Sequence, residues 1–317
     1  MTTTRLQRAQ GCLLGQIAGD SLGSLVEFST PERLRQKWPD GLRELADGGV
    51  WMTIAGQPTD DSEMALALAR SLARQGIFDL DDVRVSYQRW IRSEPFDSGH
   101  TTRQGLAGNP LEDSQANGAL MRISPLGIFG AGRDPSLLSE WAGADAAITH
   151  PHPICREISS LYAQAIAEAV EQGSSAERIY GLFVQRAREQ GCQPEVIDTI
   201  QKAADGPPDD FMHQMGWVLI AFQNALWQLL HAEDLESGVV DTVMRGGDTD
   251  TNGAIAGALL GAVYGEAAIP KQWRDCILRC EPGPDHPRAY SVSMRPEEYW
   301  PSDCLVLAEQ LLAREVR

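Results

Sequence analysis

Eight glycines constrain this chain more than any other feature. Gly11, Gly15, Gly19 and Gly23 recur at intervals of four, and so do Gly253, Gly257, Gly261 and Gly265. On an α-helix that spacing puts every member of a set on one face. Each set therefore reads as a helix with a bare stripe along it. Glycine in a helix interior costs roughly 0.5–1 kcal/mol relative to alanine, or about 2–4 kcal/mol per stripe. Close approach of a neighbouring helix backbone can offset that cost, as in small-xxx-small crossings. The expectation is two central, tightly packed helices, each leading into or out of an acidic motif.

Helical periodicity dominates elsewhere too. Ala65–Ala73, Ile158–Val170, Ile179–Arg188, Val218–Leu230 and Leu305–Leu312 carry apolar residues near i, i+3, i+4 and i+7. Alternating strand patterns are scarce, and no Ser- or Gly-rich linker divides the 317 residues. The reading is one all-α domain over 1–317, long enough to bury its own core. The six cysteines form no C-x-x-C pair, which excludes zinc-ribbon and thioredoxin motifs and fits a reducing compartment.

The formal charge is −17. Nucleic acids and anionic membranes recruit basic patches, so neither is an expected partner. Met1–Gln10 is polar and lacks a signal core. The apolar run Gly253–Gly265 is too short to span a bilayer. A cytoplasmic protein without a membrane span is expected.

Two segments carry candidate chemistry. Pro58-Thr59-Asp60-Asp61-Ser62-Glu63 opens one apolar helix, and Gly246-Gly247-Asp248-Thr249-Asp250-Thr251-Asn252-Gly253 opens the second striped helix. Asp60 and Glu63 have capping-box spacing, so the first segment alone reads equally as a helix cap. Asp248, Asp250, Asn252 and Gly253 begin like a calcium loop, but Leu259 stands where an EF-hand needs glutamate. What remains is two oxygen-rich helix starts. Adjacent carboxylates repel unless a cation lies between them. Carboxylate and hydroxyl oxygens alone favour magnesium, manganese or calcium over zinc, and four aspartates carry enough charge for two dications. A zinc site from His150, His152 and Cys155 is disfavoured by its mixed chemistry and intervening prolines.

From about Gly11 to Pro270, an ordered series of segments resembles the ADP-ribosylglycohydrolases, most closely the dinitrogenase reductase-activating branch. The segments are Gly11–Gly15, Gly19–Gly23, Val26-Glu27-Phe28, Ala55–Gln57 with Thr59–Asp61, Pro95–Asp97 with Thr101–Arg103, Asn117–Arg122, Thr149-His150 and Gly246–Thr251. The resemblance implies a compact, single-domain, orthogonal multi-helix bundle with a central binuclear metal cleft. It implies two magnesium or manganese ions held by Thr59, Asp60, Asp61, Asp248, Asp250 and Thr251. Glu27 would lie near the metals as ligand or gate, and Asp97 near the scissile bond. Glu27, Asp60 and Asp97 are thus the catalytic candidates.

Asn117, Gly118 and His150 match substrate contacts, and Trp217 stands where an aromatic stacks on adenine. Arg122 could reach a phosphate or form a structural ion pair. His100 departs from the asparagine or aspartate of close relatives, on the leaving-group side. The implied activity is removal of ADP-ribose from an ADP-ribosylated protein, most simply from arginine, by a monomer that releases ADP-ribose. The alternatives are serine-linked or O-acetyl-ADP-ribose, and an immunity protein that hydrolyses the adducts of, or binds, an ADP-ribosylating toxin.

Overall fold

The structure, a computed structural model, describes residues 3–287 and 293–313. The expected domain 1–317 therefore includes residues 1–2, 288–292 and 314–317, which lie outside the described residues. Fifteen α-helices are found among the described residues: α1 (Arg5–Gly23), α2 (Pro31–Lys37), α3 (Asp60–Gln75), α4 (Leu80–Arg92), α5 (His100–Leu106), α6 (Ser124–Phe129), α7 (Pro135–Ala147), α8 (Pro153–Gln172), α9 (Ala176–Glu189), α10 (Pro194–Asp205), α11 (Val218–His231), α12 (Leu235–Val243), α13 (Thr249–Tyr264), α14 (Lys271–Leu278) and α15 (Cys304–Leu312). The same residues contain no strand, only isolated bridges at Gly48–Thr53 and Ala116–Trp217. The all-α expectation holds. None of these helices is long and apolar enough to cross a membrane.

The two glycine stripes pack on each other. Going up α1, Gly11 meets Gly261, Gly15 meets Gly257, Gly19 meets Gly253 and Gly23 meets Thr249, so the helices run antiparallel. Each stripe leaves no room on the other: a Cβ on Gly253 would sit 2.5 Å from the Gly19 carbonyl oxygen. Backbone thus lies against backbone along the whole seam. α1 is buried almost all round from Arg8 to Gly23, and α13 entirely so from Thr249 to Ala262. A helix without a solvent face belongs at the centre of a larger body, and here α3, α6, α8, α11, α12 and α15 surround the pair.

The seam matters for chemistry because it aligns two chain positions. The C-terminal end of α1 carries Asp20, and the N-terminal end of α13 carries the second acidic motif. Antiparallel packing brings those two ends to the same end of the molecule.

Candidate active site

Neither acidic motif caps its own helix. Thr59 and Asp248 occupy the N-cap positions of α3 and α13, and neither side chain makes a capping bond. The orphan N–H groups of α3 are served from α1 instead. Asp20 accepts from Thr59 N at 3.0 Å, from Ser62 N at 3.0 Å and from the Thr59 hydroxyl at 2.9 Å. The capping-box spacing of Asp60 and Glu63 is therefore idle, and both aspartates of the first motif are free for other work.

The second motif is aimed by its double glycine. Gly246 and Gly247 both have φ of 76°, a conformation that only glycine adopts without strain. That turn pairs with the segment after α1: Phe28 N donates to Gly247 O at 2.8 Å, and Gly247 N donates to Ser29 O at 3.1 Å. Glu27 is thereby carried to the second motif. Oxygens of Glu27, Asp248 and Asp250 all lie within 4.8 Å of one another. Trp51 Nε1 donates to Glu27 Oε2 at 2.7 Å. Phe28 and Met52, the next residues along from Glu27 and Trp51, have φ of 63° and 53°, which is rare for bulky side chains. The backbone is strained on both sides of this contact, as it often is at functional sites.

The two motifs and Glu27 share one electrostatic environment. Burial pushes Asp60, Asp61 and Asp250 well above the usual carboxylate range, and neighbouring carboxylates push them further. Asp97 acts on Asp60, Asp20 and Asp248 act on Asp61, and Glu27 acts on Asp250. Glu27 is pushed up to about 8 by burial, then by Asp97 and Asp248. Burial raises Asp97 and Asp20 to about 6. Asp61 Oδ1 is buried without a hydrogen-bond partner, and so are both side-chain polar atoms of Asn252. A buried polar atom left unpaired costs about 1–3 kcal/mol. An all-oxygen donor set with orphaned atoms and mutually raised carboxylates fits a hard divalent cation.

Of the remaining candidates, Asn117 is bonded directly to the second motif. Asn117 Nδ2 donates to Asp248 Oδ2 at 2.7 Å, so its side chain holds an acid of the second motif. Asn117 N bonds Gly216 O at 3.0 Å, which sets Trp217 next to this turn. Trp217 is 36% exposed, with its Nε1 held by Gln115 at 2.8 Å. Met212, Met215 and Trp217 line one side of an open pocket there. His150 is buried against Gly118.

Asp97 is half-buried and does not cap α5, whose N-cap is Gly99. His100 is exposed at the first position of α5 and takes no part in the carboxylate cluster. Arg122 is fully buried in an ion pair with Asp145 at 3.1 Å. The structure thus decides for the structural role and against a phosphate contact. His152 caps α8, and Cys155 Sγ lies against backbone carbonyls of Ser114 and Ala116. The zinc alternative is thereby excluded.

A family model described as ADP-ribosylglycohydrolase matches residues 1–312. The chain belongs to the ADP-ribosylglycohydrolase family. It is 33% identical over 277 residues to the ADP-ribosyl-dinitrogen reductase glycohydrolase of Rhodospirillum rubrum, covering 84% of this chain and 88% of that protein. The ADP-ribosylarginine hydrolase Tri1 of Serratia proteamaculans is 26% identical, over 87% of this chain and 76% of its own. Human ADP-ribosylhydrolase ARH3 is 24% identical, over 85% and 88%. A solved structure described as an ADP-ribosylglycohydrolase-related protein complex superposes with a TM-score of 0.78 at 29% identity, covering 97% of this chain and 98% of that one. Family members are metal-dependent hydrolases.

Two residues of this ADP-ribosylglycohydrolase that support the site were not among the sequence candidates. Asp20 could have been suspected, because a carboxylate inside a buried glycine-striped helix needs a partner. Arg295 could not. It lies beyond the described motifs, yet its Nε and Nη2 bind Glu63 at 2.7 and 2.8 Å, with Trp90 Nε1 donating to the same carboxylate at 2.8 Å. Both partners are about 2% exposed at the side chain. This buried pair ties the C-terminal segment to the first turn of α3. Arg295→Ala would leave Glu63 buried without its counter-ion, and breaking such pairs costs about 3–5 kcal/mol. Thermal denaturation should show a midpoint lower by several degrees. An unchanged midpoint would mean that the pair is not formed.

Proposed function

We propose that this chain hydrolyses the bond joining ADP-ribose to a modified protein side chain, the N-glycosidic bond to arginine in the first place. In this reading it releases ADP-ribose and uses two divalent cations, magnesium or manganese. Thr59, Asp60, Asp61, Asp248, Asp250 and Thr251 would hold them. The observation that carries the reading is the buried carboxylate cluster at the heads of α3 and α13. Burial and then neighbouring carboxylates push Asp60, Asp61 and Asp250 up, and among the described residues no ion pair relieves Asp60, Asp61, Asp248 or Asp250.

Bound cations would supply the missing positive charge and an acidified water. The chain's own groups do the rest. Positive charge develops on the ribose as the bond to nitrogen breaks. Asp97, half-buried at the edge of the cluster, is positioned to stabilise that charge and to take a proton from the attacking water. Glu27 accepts from the Trp51 indole N–H and lies among the oxygens of Asp248 and Asp250. Asn117 keeps Asp248 in one orientation. Trp217 would offer its partly exposed π-face to a base beside the Asn117 turn. Trp217→Ala should weaken ADP-ribose binding about tenfold or more, given the ~1–3 kcal/mol of base–aromatic stacking, and Trp217→Phe should retain most of it in calorimetry.

Arginine is preferred because relatives named for dinitrogen reductase and for ADP-ribosylarginine match this chain at 33% and 26% identity, against 24% for human ARH3. The deciding experiment offers ADP-ribosyl-arginine protein, ADP-ribosyl-serine protein and O-acetyl-ADP-ribose side by side, with manganese. Release of free ADP-ribose from the arginine adduct is expected, with loss on chelation and recovery on manganese return. Release from only one of the other substrates would move the linkage. ADP-ribose binding without release from any of them would make the chain a binding module.

A further inference from the structure

The buried network around Arg122 carries one more conclusion, about the proton on His150. Arg122 Nη1 donates to Thr149 Oγ1 at 2.8 Å, and Thr149 Oγ1 lies 2.7 Å from His150 Nδ1. A guanidinium only donates, and a hydroxyl has one hydrogen to give. Thr149 is wholly buried, and His150 Nδ1 is the acceptor within reach of its hydroxyl among the described residues. Were Nδ1 to carry the proton, the hydroxyl hydrogen would be stranded. The satisfied arrangement runs from Arg122 to the Thr149 oxygen, and from the Thr149 hydrogen to Nδ1. The imidazole proton then sits on Nε2.

The described hydrogen bond of the ring is the one at Nδ1, and the His150 side chain is 1% exposed. It faces Gly118, where a Cβ would lie 3.0 Å from Nε2 and 2.9 Å from Thr102 Oγ1. The missing side chain leaves a small polar recess, one residue from the Asn117 that holds Asp248. Arg122 itself is spent: Asp145 matches its charge, Tyr87 packs under it and donates to the same aspartate, and the Gly118 carbonyl accepts from Nη1.

We propose that Arg122 and Thr149 are positioning residues that hold His150 as the Nε2–H tautomer, so that a fixed N–H donor awaits an oxygen of the ADP-ribosyl group beside Gly118. The ligand half of this rests on the reading of the cleft as an ADP-ribose site. Burial lowers His150 to about 3, which keeps the ring neutral near pH 7.

The test is long-range ¹⁵N–¹H correlation on histidine-labelled protein. His150 should show the Nε2–H pattern in the unliganded protein, unchanged from about pH 5 to about pH 8 where an ordinary histidine titrates. Thr149→Val should release the tautomer into a mixture and weaken ADP-ribose binding about tenfold, one lost hydrogen bond's worth. Thr149→Ser should restore both. An Nδ1–H pattern in the wild-type protein would overturn the proposal, whether or not the valine variant folds. So would a valine variant with an unaltered tautomer. A correct tautomer in a protein without affinity for ADP-ribose would overturn the ligand half along with the proposed function. A wrong tautomer in a protein that still releases ADP-ribose would overturn the relay alone.

Discussion

Asp61→Asn is expected to abolish turnover and, without metal, to make the protein more stable. Asp61 is fully buried, faces Asp20 and Asp248, and leaves Oδ1 without a partner. In metal-free protein its charge is a liability. An amide removes the repulsion and can donate to the Thr59 oxygen, now 3.0 Å from Oδ2, while the Thr59 hydrogen stays with Asp20. Relief of about 1–3 kcal/mol would raise the melting midpoint by a few degrees in chelator. Excess manganese should reverse the order, because only the wild type gains fully from binding. Release of ADP-ribose from an arginine adduct should fall by about a thousandfold or more, some 4 kcal/mol of barrier.

Asp20→Asn is the matched control. That carboxylate accepts from two backbone N–H groups and a hydroxyl, so an amide should lower stability in both conditions. A wild-type midpoint indifferent to manganese, together with an Asp61→Asn variant that melts earlier in chelator, would show that no cation belongs among these acids.

How much of this was legible beforehand follows the range of each interaction. The glycine spacing announced two bare helices, because a period of four is a local property. It could not say that the stripes face each other across more than 200 residues, since nothing in one stripe names its partner. The acidic turns were visible as oxygen-rich helix starts, and the resemblance added a role for them. Whether they served as caps was undecidable locally. The answer came from Asp20, which reaches Thr59 across a separation of 39 residues. Glu63 looked like the far end of a capping box and instead binds Arg295, 232 residues away. Arg122 stood open between phosphate contact and ion pair, and only the position of Asp145 closes the choice. Trp51 had no pattern at all, because a single indole N–H aimed at Glu27 leaves no periodic trace. Local chemistry is written in spacing, whereas the partner of a long-range bond is chosen by the packing.

The seam between α1 and α13 should be the least substitutable part of the molecule. Consider Gly257→Ala. One methyl group on a surface helix would raise helix propensity, favouring alanine by about 0.8–1 kcal/mol. Here the new Cβ points at the Gly15 carbonyl oxygen, well inside van der Waals contact. Neither helix can yield locally, because the neighbouring pairs Gly11–Gly261 and Gly19–Gly253 are just as close. The helices must separate along their length, and the packing of every buried neighbour loosens with them. Overpacking in compliant cores costs about 1–3 kcal/mol. A rigid backbone wall should exceed that, so a loss of about 3–5 kcal/mol and a midpoint lower by about 5–10 °C are expected. Gly257→Val should give no soluble folded protein.

The same shift would move Asp20 away from α3 and Asp248 away from Asn117, since the ends of the seam carry both. In the alanine variant, manganese stabilisation should therefore shrink along with the intrinsic midpoint. Alanine tolerated at Gly15, Gly19, Gly253 and Gly257 without loss of stability would mean that the two backbones are not in contact, and the alignment of the two acidic motifs would need another cause.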